Sequence, residues 1–191
     1  MAYQIAVIVG SLRRDSTNRQ LAHALTSLAP ADFSFDFVDI GGLPLYSQDY
    51  DADFPPVARE FKQKIQAADG LLFVTPEYNR SIPGVLKNAL DWASRPWGKN
   101  AWGDKPGAVV GTSPGATGTA LAQQHLRNVL AYLDVATLGQ PEMFIKHNPA
   151  AIDETARSST MTRASSSSRL SIAMSRGSKR MVERVSASKA H

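Results

Sequence analysis

An α/β fold, a doubly wound parallel sheet of five strands, is predicted by three features of the sequence. Short apolar runs recur at Ile5–Val9, Leu71–Val74 and Ala108–Gly111, as buried strands of a parallel sheet do. Segments with apolar residues at helical spacing separate them, and such alternation implies right-handed crossovers. Each run ends in a loop of small and polar residues, at 10–18, 75–79 and 112–118. Ligands of such sheets bind at the carboxyl ends of the strands, beside a topological switch point. All three loops are expected on that one edge.

Taken in order, strand one is Tyr3 to Val9, and the loop Gly10-Ser11-Leu12-Arg13-Arg14-Asp15-Ser16-Thr17-Asn18 follows it. A helix from about Thr17 to Leu28 comes next, with Leu21, Leu25 and Leu28 on one face. The loop thus lies where a strand ends and a helix begins, and free backbone N–H groups and the helix dipole favour an anion there. Gly10 permits the tight turn, while Ser11, Ser16, Thr17 and Asn18 supply short hydrogen-bonding side chains. Arg13 and Arg14 add guanidinium groups whose planar fork suits phosphate. The P-loop pattern and the dinucleotide fingerprint G-x-G-x-x-G are both absent. Taken alone, the loop also fits a polar turn with an ordinary N-cap. The second loop, Thr75-Pro76-Glu77-Tyr78-Asn79, favours the phosphate cradle because it too ends an apolar strand.

The alternating Phe33 to Val38 reads as strand two, and the long segment Gly41 to Pro56 reads as a functional loop. Val57, Phe61 and Ile65 mark helix two, and Leu71 to Thr75 is strand three. Pro83 falls in the first turn of helix three, whose apolar face is Val85, Leu86, Ala89, Leu90 and Ala93. The loop Arg95 to Lys105 carries Trp97 and Trp102, which either cap a ligand or pack on the surface. Strand four is Ala108 to Gly111, with the small-residue loop Thr112 to Gly118 behind it. Leu126, Val129, Leu130 and Leu133 stripe helix four, and a short fifth strand is expected within Val135 to Ile145.

Composition narrows the classes of function. The chain has 191 residues, enough for one domain with a full core. It has no cysteine, so disulfides and thiolate metal sites are excluded, and its four histidines lack metal-ligand spacing. Neither a signal peptide nor a membrane-spanning run is read, so a cytoplasmic protein with no membrane partner is expected. The net charge of +4 is misleading, because 155–191 holds eight of the 21 basic residues and one of the 17 acids. The first 154 residues are mildly acidic, which argues against a nucleic-acid surface on the folded body.

In three motifs the chain resembles the NAD(P)H-dependent FMN reductases of the flavodoxin-like fold, and within them the quinone, chromate and azo-dye reductase branch. The motifs are GSLRRDSTNRQLA at 10–22, TPEYNRSIPGVLKNALDW at 75–92 and GTSPGATGT at 111–119. The resemblance covers residues 3 to about 154 and implies the strand order 2-1-3-4-5. It implies that Ser11, Arg13, Ser16, Thr17 and Asn18 hold the FMN phosphate. Pro76, Glu77, Tyr78 and Asn79 would run along the isoalloxazine ring and offer backbone amides, with Ser113 and Gly115 bordering the ring or ribityl chain. Plainer roles are a strand stop for Pro76, packing for Tyr78, and solvated surface positions for Arg14 and Arg80.

By the same resemblance no side chain acts as a catalytic acid or base and no metal is used. Hydride would pass from NADPH or NADH to flavin and then to a small-molecule acceptor (a quinone, azo dye, chromate or free flavin) in ping-pong order. A homodimer or homotetramer is implied, with Arg127 and Glu142 as an inter-subunit ion pair. Two other classes are a flavodoxin-type electron carrier without nicotinamide oxidation and a cofactor-free interaction module.

The chain departs from the family after Glu154. A fifth amphipathic helix is expected there, but 155–191 holds eleven serines and few apolar residues, too few to bury a core. Read back into plausible codons, with one adenine restored near Glu154, the segment becomes ENGEIVDDDTRKFLQSFIDRYVAWIEKNG and a stop. That string has the helix pattern the family requires. The expected organisation is therefore a flavodoxin-like FMN-binding domain at 1–154 and a frameshifted tail at 155–191, with the last helix lost or altered.

Overall fold

The computed structural model describes residues 3–27 and 29–147. The elements in order are β1 Tyr3–Val9, α1 Thr17–Ser27, β2 Phe33–Phe37, α2 Pro56–Ala67, β3 Gly70–Val74, α3 Gly84–Ser94, β4 Pro106–Ser113, α4 Ala120–Tyr132, β5 Ala136–Thr137 and β6 Phe144–Lys146. All pairings are parallel and the order is β2-β1-β3-β4-β5, with β6 also on β4. This is the expected flavodoxin-like order. The tail 155–191, and the frameshift that would have produced it, lie outside the described residues, as does Leu28.

Alternation along the strands sorts the core into two layers. Ala6, Ile8, Leu71, Phe73 and Val109 face α2, α3 and α4, where they meet Phe61, Ile65, Leu86, Leu90, Leu126 and Leu130. Ile5, Val7, Val9, Leu72, Val74 and Val110 face the other way, toward Leu21, Ala22 and Leu25 of α1. On this second face Tyr3, Phe33, Phe35 and Phe37 are only half-buried. The helices are held by these apolar stripes more than by capping, since neither α2, α3 nor α4 has a cap from its own N-cap side chain. Pro83 stands at the N-cap of α3, one position ahead of the first turn expected for it.

Two expectations change. Trp102 neither caps a ligand nor packs on the surface: it is fully buried between Phe61 and Phe73, and its indole N–H donates to the Leu90 carbonyl at 2.9 Å. Indole has the apolar area to fill the core and only one donor to satisfy. Trp97 is 78% exposed. The fifth strand is divided. Ala136 and Thr137 pair with Pro106 and Gly107, whereas Phe144 to Lys146 pair with Gly111 to Ser113. The ladder is interrupted opposite 108–110.

Candidate flavin site

The three loops leave the carboxyl ends of β1, β3 and β4, which are adjacent strands. The first runs into α1. Ser16 is the N-cap residue: its hydroxyl accepts from the Arg19 N–H at 3.2 Å and its carbonyl from the Gln20 N–H at 3.0 Å. The backbone N–H groups of Ser11, Leu12, Thr17 and Asn18 make no hydrogen bond to any described residue. Ser11 and Ser16 are buried, Thr17 is half-buried, and Arg13 and Arg14 are exposed. Unpaired amides, hydroxyls and a guanidinium around a helix N-terminus form a donor set suited to a phosphate dianion.

Asn18 is buried and its amide is already engaged. Its Nδ2 donates to the Thr112 carbonyl at 2.9 Å, and its Oδ1 accepts from the Thr112 N–H at 3.0 Å. The side chain therefore clasps the first loop to the end of β4, and only its backbone amide remains for a ligand. Beside this clasp the Thr112 hydroxyl is buried without a partner among the described residues.

The second loop is a strap that ends in a tight turn. Tyr78 and Ser81 exchange N–H···O bonds of 3.0 Å each, with Asn79 at φ 50° and Arg80 at φ 65° between them. Two left-handed residues in a two-residue hairpin give the turn its primed geometry. Pro76 and Glu77 are half-buried, and Tyr78, Asn79 and Arg80 are exposed. The Glu77 carboxylate reaches the N-terminus of α4, accepting from the Leu121 and Ala122 amides at 3.0 and 3.1 Å. Arg80 lies 4.0 Å from the same carboxylate. Ser81 adds a 3.0 Å hydrogen bond to His125 Nδ1. The Glu77 and Asn79 amides are unpaired among the described residues.

In the third loop the Ser113 hydroxyl donates to the Gly118 carbonyl at 2.5 Å, and the Gly118 amide donates to the Gly115 carbonyl at 3.1 Å. Ser113 is half-buried and Gly115 exposed. Close approach of the three loops depends on two glycines. A Cβ on Gly10 would lie 3.1 Å from Thr75 Oγ1, and one on Gly111 would overlap the Thr75 carbonyl oxygen and Thr119 Oγ1. The residues present fit FMN, with phosphate donors at one loop and amide donors at the next.

The long loop 41–56 is held by α3. The Pro44 carbonyl accepts from Asn88 Nδ2 and Trp92 Nε1, at 2.9 and 2.7 Å, and the Tyr46 amide donates to Asn88 Oδ1. The Tyr46 hydroxyl donates to Asp51 at 2.9 Å and accepts from Arg95 Nε at 2.7 Å, and Arg95 pairs with Asp51 at 2.5 Å. Burial raises the Tyr46 phenol above its ordinary range, assisted by its bond to Asp51. The sequence marked the loop as functional but showed nothing of this anchorage, because Asn88 and Trp92 read as ordinary helix residues and Arg95 as the start of the next loop.

A 2-1-3-4-5 sheet with a helix N-terminus and amide-lined straps at its switch point is a mononucleotide-binding, flavodoxin-like protein. The chain belongs to the NADPH-dependent FMN reductase family, which it matches over residues 3–150. It is 76% identical over 153 residues to a 2-hydroxy-1,4-benzoquinone reductase of a Burkholderia species, covering 80% of this chain and 84% of that protein. It is 46% identical over 162 residues to a quinone reductase of Pseudomonas putida, covering 84% of this chain and 87% of that one. Among solved structures it superposes on FerB, a flavoenzyme NAD(P)H:(acceptor) oxidoreductase from Paracoccus denitrificans. The TM-score is 0.84 at 38% identity, covering 97% of this chain and 98% of that one. The chain is thus an oxidoreductase of an FMN- and NAD(P)H-using family. No helix among the described residues is long and apolar enough to cross a membrane.

Proposed function

We propose that the protein is a quinone reductase that takes reducing equivalents from NADPH or NADH in ping-pong order and passes them to small acceptors. Hydroxylated benzoquinones are the first acceptors to test, in view of the 76%-identical relative, and azo dyes, chromate and free flavin are slower alternatives. Bound FMN would supply the chemistry, accepting a hydride equivalent from the nicotinamide and delivering it to the acceptor. The observation that carries the reading is the convergence of the three loops, joined by the Asn18–Thr112 clasp and the Glu77–α4 bonds.

In this reading Ser11, Arg13, Ser16 and Thr17 hold the phosphate through hydroxyls, guanidinium and helix amides, and Asn18 contributes its backbone N–H. Pro76, Glu77, Tyr78 and Asn79 border the ring, and the unpaired amides of Glu77 and Asn79 favour the charge that reduction adds. Ser113 and Gly115 line the opposite side. No side chain needs to exchange a proton for this half-reaction. The chain's task is to hold the ring with one face open.

A homodimer or homotetramer belongs to the same proposal. Arg127 donates to the Leu138 carbonyl at 2.7 Å while its Nε is buried and unpaired among the described residues, and Glu142 is exposed. In this reading Glu142 would meet the Arg127 guanidinium, already bonded within its own chain, across the subunit boundary. The frameshift at Glu154 is proposed as well, supported by the family match stopping at residue 150, just ahead of the change in composition.

The test is the visible spectrum of the purified protein after FMN is added and the excess removed. A retained flavin spectrum that bleaches anaerobically with NADPH or NADH, and recovers with a benzoquinone, is the expected result. Retained flavin that never bleaches would indicate an electron carrier instead.

A further inference from the structure

The Thr75 amide at the head of the strap 75–81 bonds the Val110 carbonyl at 3.0 Å. Beyond it the strap is attached at two points among the described residues, and both go to α4. The Glu77 carboxylate accepts two amides at the start of that helix, Leu121 and Ala122, at 3.0 and 3.1 Å. One turn further along, His125 Nδ1 bonds the Ser81 hydroxyl at 3.0 Å. The N-cap residue Thr119 makes no capping bond of its own, so Glu77 serves as the cap from a distant part of the chain. A carboxylate at that position also meets the positive end of the helix dipole. Its side chain is only 11% exposed, which strengthens both effects.

The turn needs this support. Asn79 and Arg80 both occupy left-handed backbone, at φ 50° and 65°, a region that Asn adopts readily but that costs energy for Arg80. The Glu77 and Asn79 amides of the strap have no partner among the described residues. We propose that Glu77 is a positioning residue for the flavin: by capping α4, with Ser81–His125 as a second pin, it fixes the strap amides against the ring. The inference rests on the FMN reading above. It adds that α4 and the flavin strap are mechanically one unit, so a displacement of α4 reaches the redox centre.

The test uses the full chain with E77A, E77Q and H125A, each first checked by thermal melting. In the cofactor-free protein, hydrogen exchange is expected to quicken at 78–81 and at 121–122 in E77A, and at 78–81 alone in H125A. In the FMN-loaded protein, E77A should bind FMN at least tenfold more weakly. Its midpoint potential should fall by about 30 mV, the equivalent of a tenfold loss of preference for the reduced form. E77Q keeps an acceptor oxygen without the charge and should recover part of both effects. H125A should shift the potential in the same direction by less.

Wild-type exchange at 78–81 together with an unchanged potential in E77A would overturn the proposal. If E77A does not fold, E77Q and H125A carry the same test, and an unchanged potential in both would overturn it equally. A wild-type protein that takes up no FMN would count against the functional reading instead. The exchange measurement on the cofactor-free chain would still decide whether Glu77 pins the strap.

Discussion

Asn18 shows how one side chain can serve a site without touching its ligand. Its amide matches the Thr112 peptide group on both atoms, so its removal leaves a buried donor and a buried acceptor unpaired. Asn18→Ala is expected to lower stability by about 2–4 kcal/mol, read from the urea midpoint, and to weaken FMN binding as the first loop separates from β4. Arg13 is exposed, so its removal should leave the fold intact. Arg13→Ala should raise the FMN Kd by about tenfold or more, the loss of one charge-assisted bond to phosphate, measured by fluorescence quenching on titration. Arg80 presents the opposite case, a non-glycine residue in left-handed backbone. Arg80→Gly should stabilise the chain by about 0.5–1 kcal/mol, the left-handed penalty less the entropy of glycine. A melting temperature that falls instead would mean that the Arg80–Glu77 contact at 4.0 Å outweighs the strain.

The elements divide into those whose pattern announced them and those decided by partners far along the chain. Runs such as Ile5–Val9 and Leu71–Val74 are apolar on both faces because both layers of core need them, so strands, helices and the loops between them were readable. The side-chain contacts were not. Trp102 sits in a Gly-containing loop whose composition suggests surface, yet the core takes it because Leu90 offers its indole an acceptor. Gln123 reads as a solvated helix position but is fully buried, donating to Thr119 Oγ1 and the Met143 carbonyl at 2.9 and 2.8 Å. Lys62 is buried as well, with its ammonium on the Arg95 carbonyl, and desolvation lowers its pKa. Each of these depends on a backbone carbonyl supplied by another element, which periodicity does not register. Of the candidate site, the three loops could be located in this way, whereas the Asn18 clasp and the Glu77 cap could not. Gly111 is the element-scale test, since a Cβ there would meet backbone rather than a flexible side chain. Gly111→Ala should cost about 3 kcal/mol or more and be seen as a large fall in melting temperature or as insoluble protein.

At the scale of the whole molecule, the described part of the sheet face that carries α1 has Tyr3, Phe33, Phe35 and Phe37 half-buried along its margin. Under the proposed frameshift, restoring the reading frame at Glu154 would supply a segment rich in Phe, Leu, Ile, Tyr and Trp with a helical pattern. Three such side chains contribute about 1.5–3 kcal/mol each on burial. At about 2–4 °C per kcal/mol for a chain of this size, the restored protein should melt at least about 10 °C higher, measured side by side by calorimetry. Equal melting temperatures would count against the proposal that a frameshift has cost the chain a packed helix. The break in the fifth strand bears on the opposite margin. Between Gly107 and Gly111 the outer border of β4 has lost its ladder, because the chain bows away from 138 to 143 before rejoining it. A border of this kind can part locally while the domain stays folded. Of 108–110 only Val109 turns its amide to that border, since Val110 bonds β3. Backbone deuteration should therefore enter at Val109 sooner than at equally buried positions of β1 and β3, giving the sheet a built-in seam directly below the third loop.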